Sequence, residues 1–181
     1  METSELEQEL STPDYVKEYH EIPALREDKE ITLKVVKKIG TFLEYASERL
    51  KNDREVVMTA ITSEAEGLIS PWEILNGKAL LFASDELRSD REFMIEVLQK
   101  NPNALEYATD ELKNDKDIVT EVVESYGFAL KYASDELKND KEVVLKAVKN
   151  NGVALEFASE RLRDDKEIII EAWRSLRECF N

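Results

Sequence analysis

The chain has 181 residues, of which 42% are hydrophobic and 36% charged, with a formal net charge of −15. That length holds one large domain or one array, and the composition is that of a globular chain. Forty acidic against 25 basic residues argue against direct binding to nucleic acid or to an anionic membrane, which needs basic patches, and leave a basic protein partner open. Five Gly and four Pro point to long regular elements, and the apolar spacing is helical, so the expected class is all-α. The lone cysteine, Cys179, excludes an internal disulfide and fits a reducing compartment. The acidic start, Met1 to Glu7, has neither the basic head nor the apolar core of a signal peptide. No run approaches 18 apolar residues, so no membrane span is expected and the protein is read as cytoplasmic.

Residues 1–24 carry seven acids and one Lys. Thr12 and Pro13 have the order of an N-cap and a first-turn proline. Tyr15, Val16 and Tyr19 then form one apolar face, and Pro23 ends the helix. This segment is read either as a cap on the end of an array or as an acidic docking arm.

From Leu25 a repeat is legible. Its copies open at Leu25, Leu50, Leu87, Leu112, Leu137 and Leu162. The spacing is 25 residues except for one step of 37. Three residues after each Leu stands Asp28, Asp53, Asp90, Asp115, Asp140 or Asp165. An Asp just before an apolar-periodic run is a helix N-cap, and the Glu or Asp two residues later adds favourable charge at the positive helix end. A helix A of about eleven residues follows, with a stripe such as Val143, Val144, Ala147 and Val148. Gly40, Gly127 and Gly152 fall where a left-handed residue ends a helix, and Pro102 holds that register in another copy. A shorter helix B then carries Ala154, Leu155, Phe157 and Ala158 or their equivalents. The alanine recurring at Ala46, Ala83, Ala108, Ala133 and Ala158 is read as a helix crossing point. The Ser or Thr after it caps a last short turn. One such unit buries too little to stand alone, so the expected object is an α-solenoid of about six helical hairpins with atypical ends.

The step of 37 inserts residues 64–75. Ser70, Pro71 and Glu73 spell a helix start, so the insertion adds a short helix. Ile69, Trp72, Glu73 and Ile74 are the candidate partner-binding residues, because solenoid insertions map to loops on one face and Trp is enriched in binding hot spots. The competing reading has Trp72 plugging the gap in the stack. Two further positions bear on recognition. Leu33, Met58, Ile95, Thr120, Leu145 and Ile170 either are buried by adjacent units or line an apolar groove. The next residues, Lys34, Thr59, Glu96, Glu121, Lys146 and Glu171, vary in charge. In the last copy Arg177 replaces the stop glycine, so helix A is expected to run on through Leu176 and Phe180, with residues 174–181 as a C-terminal cap and Trp173 as a core residue of it.

The stretch from Leu137 to Ser159, Leu-Lys-Asn-Asp-Lys-Glu-Val-Val-Leu-Lys-Ala-Val-Lys-Asn-Asn-Gly-Val-Ala-Leu-Glu-Phe-Ala-Ser, resembles the repeat of the domain-of-unknown-function 4116 family. The resemblance covers roughly residues 25–173 and fails at residues 64–75 and at both ends. It implies a helical repeat array and carries over no functional residue.

Chemistry-bearing patterns are sparse. His20 and Cys179 lie near opposite ends of the chain, so a Cys–His pair is not expected in an open array. There is no clustered Cys/His set for zinc, no phosphate-binding loop and no calcium loop. The sequence therefore predicts no catalytic residue, no cofactor and no metal. The expected function is non-enzymatic protein–protein binding through a curved face and the insertion. The alternative is an acidic inhibitor, of immunity type or mimicking nucleic-acid charge.

Overall fold

The computed structural model describes residues 19–63 and 77–178. All regular structure among them is helical. The chain divides into two compact units, Met1–Leu87 and Arg88–Asn181.

The first unit contains α1 (Pro23–Glu27), α2 (Lys29–Lys38), the 3₁₀ helix η1 (Gly40–Tyr45), α3 (Glu48–Lys51), α4 (Arg54–Ile61) and η2 (Gly77–Phe82). Helix α5 (Asp85–Ser89) straddles the boundary. The second unit continues with α6 (Arg91–Lys100), η3 (Pro102–Tyr107), α7 (Asp110–Lys113), α8 (Lys116–Ser125), η4 (Gly127–Tyr132), α9 (Asp135–Lys138), α10 (Lys141–Asn150), η5 (Gly152–Phe157), α11 (Glu160–Arg163) and α12 (Lys166–Glu178).

The repeat is thus one α-helix, a 3₁₀ helix and a single α-turn, where the sequence suggested a hairpin of two α-helices. The i→i+3 pattern, seen as Ala129 N–H donating to Tyr126 O at 2.9 Å, sets Gly127 and Leu130 above one another on the buried side. The recurring alanine is not a helix crossing. Ala108, Ala133 and Ala158 are extended residues that leave the 3₁₀ helix, buried in the corner. The Ser after it caps the short turn in some copies, with Ser84, Ser134 and Ser159 Oγ accepting from Leu87, Leu137 and Leu162 N–H, whereas Ser47 and Thr109 make no such bond.

Every aspartate predicted as an N-cap is one. The backbone N–H groups of Ile31, Val56, Phe93, Ile118, Val143 and Ile168 donate to Asp28, Asp53, Asp90, Asp115, Asp140 and Asp165. Beyond the caps the stripe is buried as expected, with Val143, Val144, Ala147 and Val148 all inaccessible to solvent.

Tyr19 is buried against Ile31 and Val35, and its hydroxyl lies 3.0 Å from Thr32 Oγ1. Burial raises the Tyr19 pKa, partly offset by the Thr32 hydrogen bond. Pro23 then opens α1. At the other end α12 runs on to Glu178 without a stop glycine. Trp173 is 63% exposed and Ile170 51%, so Trp173 is not a core residue. Its register equivalent in α10, Val148, is covered by the next copy, and that face of α12 has no such cover among the described residues.

Candidate functional site

The four residues singled out for partner binding, Ile69, Trp72, Glu73 and Ile74, lie outside the described residues, as do the rest of the insertion, Cys179, Phe180 and Thr12 to Val16. His20 is described and meets Tyr45 edge-on at 5.3 Å between ring centroids. Among the described residues no three His, Cys, Asp or Glu side chains are grouped to hold a metal ion, and no helix is long and apolar enough to cross a membrane.

Two ladders of polar contacts join successive copies. In the first, the base that follows a cap aspartate reaches, within each unit, the cap aspartate of the next copy. Lys29 contacts Asp53 at 2.7 Å and Glu55 at 2.8 Å. Arg91 contacts Asp115 at 3.0 Å. Lys116 contacts Asp140 at 2.8 Å and Glu142 at 2.9 Å. Lys141 contacts Asp165 at 2.9 Å and Glu167 at 2.8 Å. Hydrogen bonds donated to Asp140 and Glu142 push the Lys116 pKa up to about 12. The Lys141 ammonium, with the backbone N–H groups assisting, holds the Asp165 carboxyl below its ordinary value. In the second ladder an asparagine receives the serine of the next copy: Ser84 Oγ donates to Asn52 at 2.6 Å, Ser134 to Asn114 at 2.6 Å and Ser159 to Asn139 at 2.7 Å. These groups are consumed by stacking, and the repeated Asp-Lys/Arg-Glu/Asp triplet was their signal in the sequence.

The recurring glycines serve close packing. Neither Gly127 nor Gly152 is left-handed, contrary to the sequence expectation. A β-carbon on Gly127 would collide with the carbonyl oxygen of Ala147, and one on Gly152 with that of Ala172. A clamp accompanies each approach. Gly127 N–H donates to Asn150 Oδ1 at 2.7 Å, and Gly152 N–H donates to Ser175 Oγ at 3.1 Å. The Asn150 amide also satisfies the C-terminal end of α8, donating to the carbonyls of Glu124 and Ser125.

The register fails in one place within the second unit. Where later copies have Gly127 with Ala147 and Gly152 with Ala172, the copy before has Pro102 with Val122. Proline has a ring where the close approach needs only a hydrogen, and no N–H to donate. Ser125, in the register of Asn150 and Ser175, instead donates to its own helix at Val122 O, 3.0 Å away. Helices α8 and α10, and α10 and α12, pack along their lengths, but α6 and α8 touch only sparingly.

The result is a half-open cavity of about 140 Å³ lined by Ile95, Leu98, Gln99, Ile118, Glu121, Val122 and Ser125. Gln99 Nε2 donates to Glu121 Oε1 across the cleft at 2.9 Å. Two of these residues come from the positions noted in the sequence as apolar or charge-variable, Ile95 and Glu121. The remaining equivalents are largely half-buried along their helices. The cleft as such was missed; the Gly-to-Pro exchange at 102 together with Ala-to-Val at 122 was the available signal.

Comparison with curated proteins and with solved structures finds no match for this chain. A family model matches five overlapping times, over residues 28–66, 75–113, 90–138, 115–163 and 140–175. These matches follow the repeat copies read from the sequence and span most of the chain, and the protein belongs to the family described as Domain of unknown function (DUF4116).

Proposed function

We propose that this protein is a non-enzymatic, cytoplasmic helical-repeat module that binds another protein. The observation that supports this reading is the cleft between α6 and α8. At the α8–α10 and α10–α12 junctions, glycine, clamp and stripe close the helices on one another, whereas between α6 and α8 that packing is given up and an apolar-lined recess is left. A cost in stacking that yields an accessible apolar recess is what a recognition surface needs. On sequence grounds the insertion at 64–75, with Ile69, Trp72, Glu73 and Ile74, supplies a second anchor.

The net charge of −15 favours one other reading, an acidic inhibitor of a basic enzyme or a mimic of nucleic-acid charge. Affinity capture from the native lysate at low and high salt, with wild type and Trp72→Ala, separates the two. A stoichiometric protein retained at high salt and lost on Trp72→Ala supports the binding module. A basic enzyme lost at high salt and indifferent to Trp72→Ala supports the inhibitor, because exposed charge pairs are screened and apolar contacts are not. No specific protein in either condition defeats both.

A further inference from the structure

The geometry points to the α6–α8 cleft as a pocket for a single apolar side chain of a peptide segment that carries a Lys or Arg beside it. This rests on the protein-binding reading and names the chemistry of the partner.

Size sets the first half of the claim. A cavity of about 140 Å³ matches the roughly 150 Å³ apolar void that takes one benzene-sized group. It holds one large side chain and has no room for a helix face. Its floor is Ile95, Leu98, Ile118 and Val122, with Leu98, Ile118 and Val122 buried. Such a floor offers no hydrogen-bond partner to a polar group, and burying one there is unfavourable.

Charge sets the second half. Two of the three bases on α6 and α8 are already committed: Arg91 to Asp115 and Lys116 to Asp140 and Glu142. The acids are not matched in the same way. Glu92 and Glu96 are exposed on α6, a turn apart and on either side of Ile95. Glu121 sits on the cleft wall, receives the neutral Gln99 amide and lies within the field of the Arg91 guanidinium, which also pairs with Asp115. Lys100, four residues after Glu96, is the opposing charge. With Arg91 and its partners Asp115 and Asp117 counted, five carboxylates (Glu92, Glu96, Asp115, Asp117 and Glu121) stand against Arg91 and Lys100 and leave the mouth negative, so a cationic neighbour of the inserted side chain is favoured and an anionic one is repelled.

The test uses the full chain and two capped dipeptides as probes, N-acetyl-phenylalanyl-arginine amide and N-acetyl-phenylalanyl-glutamate amide, followed by methyl NMR. The Phe-Arg probe is expected to shift the methyls of Ile95, Leu98, Ile118 and Val122 saturably, with the Phe-Glu probe binding at least about threefold more weakly. Glu121→Gln should narrow that difference without disturbing the spectrum elsewhere. Ser125→Leu, a change at an exposed position on the rim, should occupy the cleft and abolish both responses. The inference is overturned by three results: no methyl response to the Phe-Arg probe, equal affinity for the two probes, or a response that survives Ser125→Leu. Its failure differs from that of the parent reading. A silent titration alongside a partner captured equally by wild type and Ser125→Leu removes the cleft but keeps the binding module, whereas an empty capture removes the module.

Discussion

Lys116 Nζ lies 2.8 Å from Asp140 Oδ2, while Asp140 Oδ1 accepts the backbone N–H groups of Glu142 and Val143 at 2.9 and 3.2 Å. One carboxylate therefore caps its own helix and ties it to the helix one copy earlier. The two roles separate by substitution. Asp140→Ala should cost about 1 kcal/mol from the cap and up to about 1 kcal/mol more from the partly exposed ion pair. Asp140→Asn keeps a good cap and should lose only the ion pair, about 0.5 kcal/mol. Urea denaturation of the two variants checks this, and equal losses would show that the cap contributes nothing.

The same carboxylate gives a pH dependence with a definite sign. Burial raises the Asp140 pKa, but the Lys116 hydrogen bond and the Val143 and Glu142 N–H groups outweigh it, and the net value is lowered. A lowered folded-state value contributes stability above the unfolded value and loses it as pH falls through the folded one. The stability difference between wild type and Asp140→Asn should thus be constant above about pH 5 and shrink toward zero below the ordinary Asp value of about 3.9. Lys116 has the opposite sign: its contribution is complete below the ordinary lysine value and fades as pH rises through about 12. A difference that grows on acidification would contradict the assignment.

Gly127 tests close packing against backbone conformation. A left-handed helix end tolerates Asn nearly as well as Gly. A position blocked by the Ala147 carbonyl oxygen tolerates neither Ala nor Asn. Both Gly127→Ala and Gly127→Asn should lose about 1–3 kcal/mol, read as a fall in thermal midpoint. An Asn variant as stable as wild type would restore the left-handed explanation.

Val148 and Trp173 occupy the same register in successive copies with opposite surroundings, 0% and 63% exposed. Val148→Ala should cost about 1–3 kcal/mol. Trp173→Ala should change stability by no more than about 0.5 kcal/mol, despite deleting a far larger side chain. Denaturant midpoints decide it, and a Trp173→Ala loss comparable to that of Val148→Ala would mean the indole is packed in solution.

Some of this was legible because it is local. Asp28 through Asp165 read as caps since an N-cap needs only a short acceptor before a helical run, and helix ends depend on the few residues around them. The buried stripe read correctly for the same reason: a 3.6-residue period needs no knowledge of what covers it. The glycines misled. Gly127 at a helix end has one familiar local explanation, and the real one is the carbonyl of Ala147, 20 residues away. Helix B misled as well, because a six-residue apolar segment suits an α- or a 3₁₀ turn and its packing chooses.

By itself the sequence determined the family, the all-α class, the repeat length, the caps and the faces that are buried. Those follow from periodicity and from hydrogen bonds made within a few residues. Tertiary structure decided which charges are spent on stacking, why Gly127 and Gly152 cannot carry a side chain, that Trp173 faces solvent, and where the stack opens. Each of these depends on the distance between residues about one repeat apart. Pro102 and Val122 show in the sequence only as departures from the repeat, and they matter because folding sets that register against the next helix, where the ring and the extra methyl groups leave room for a cleft.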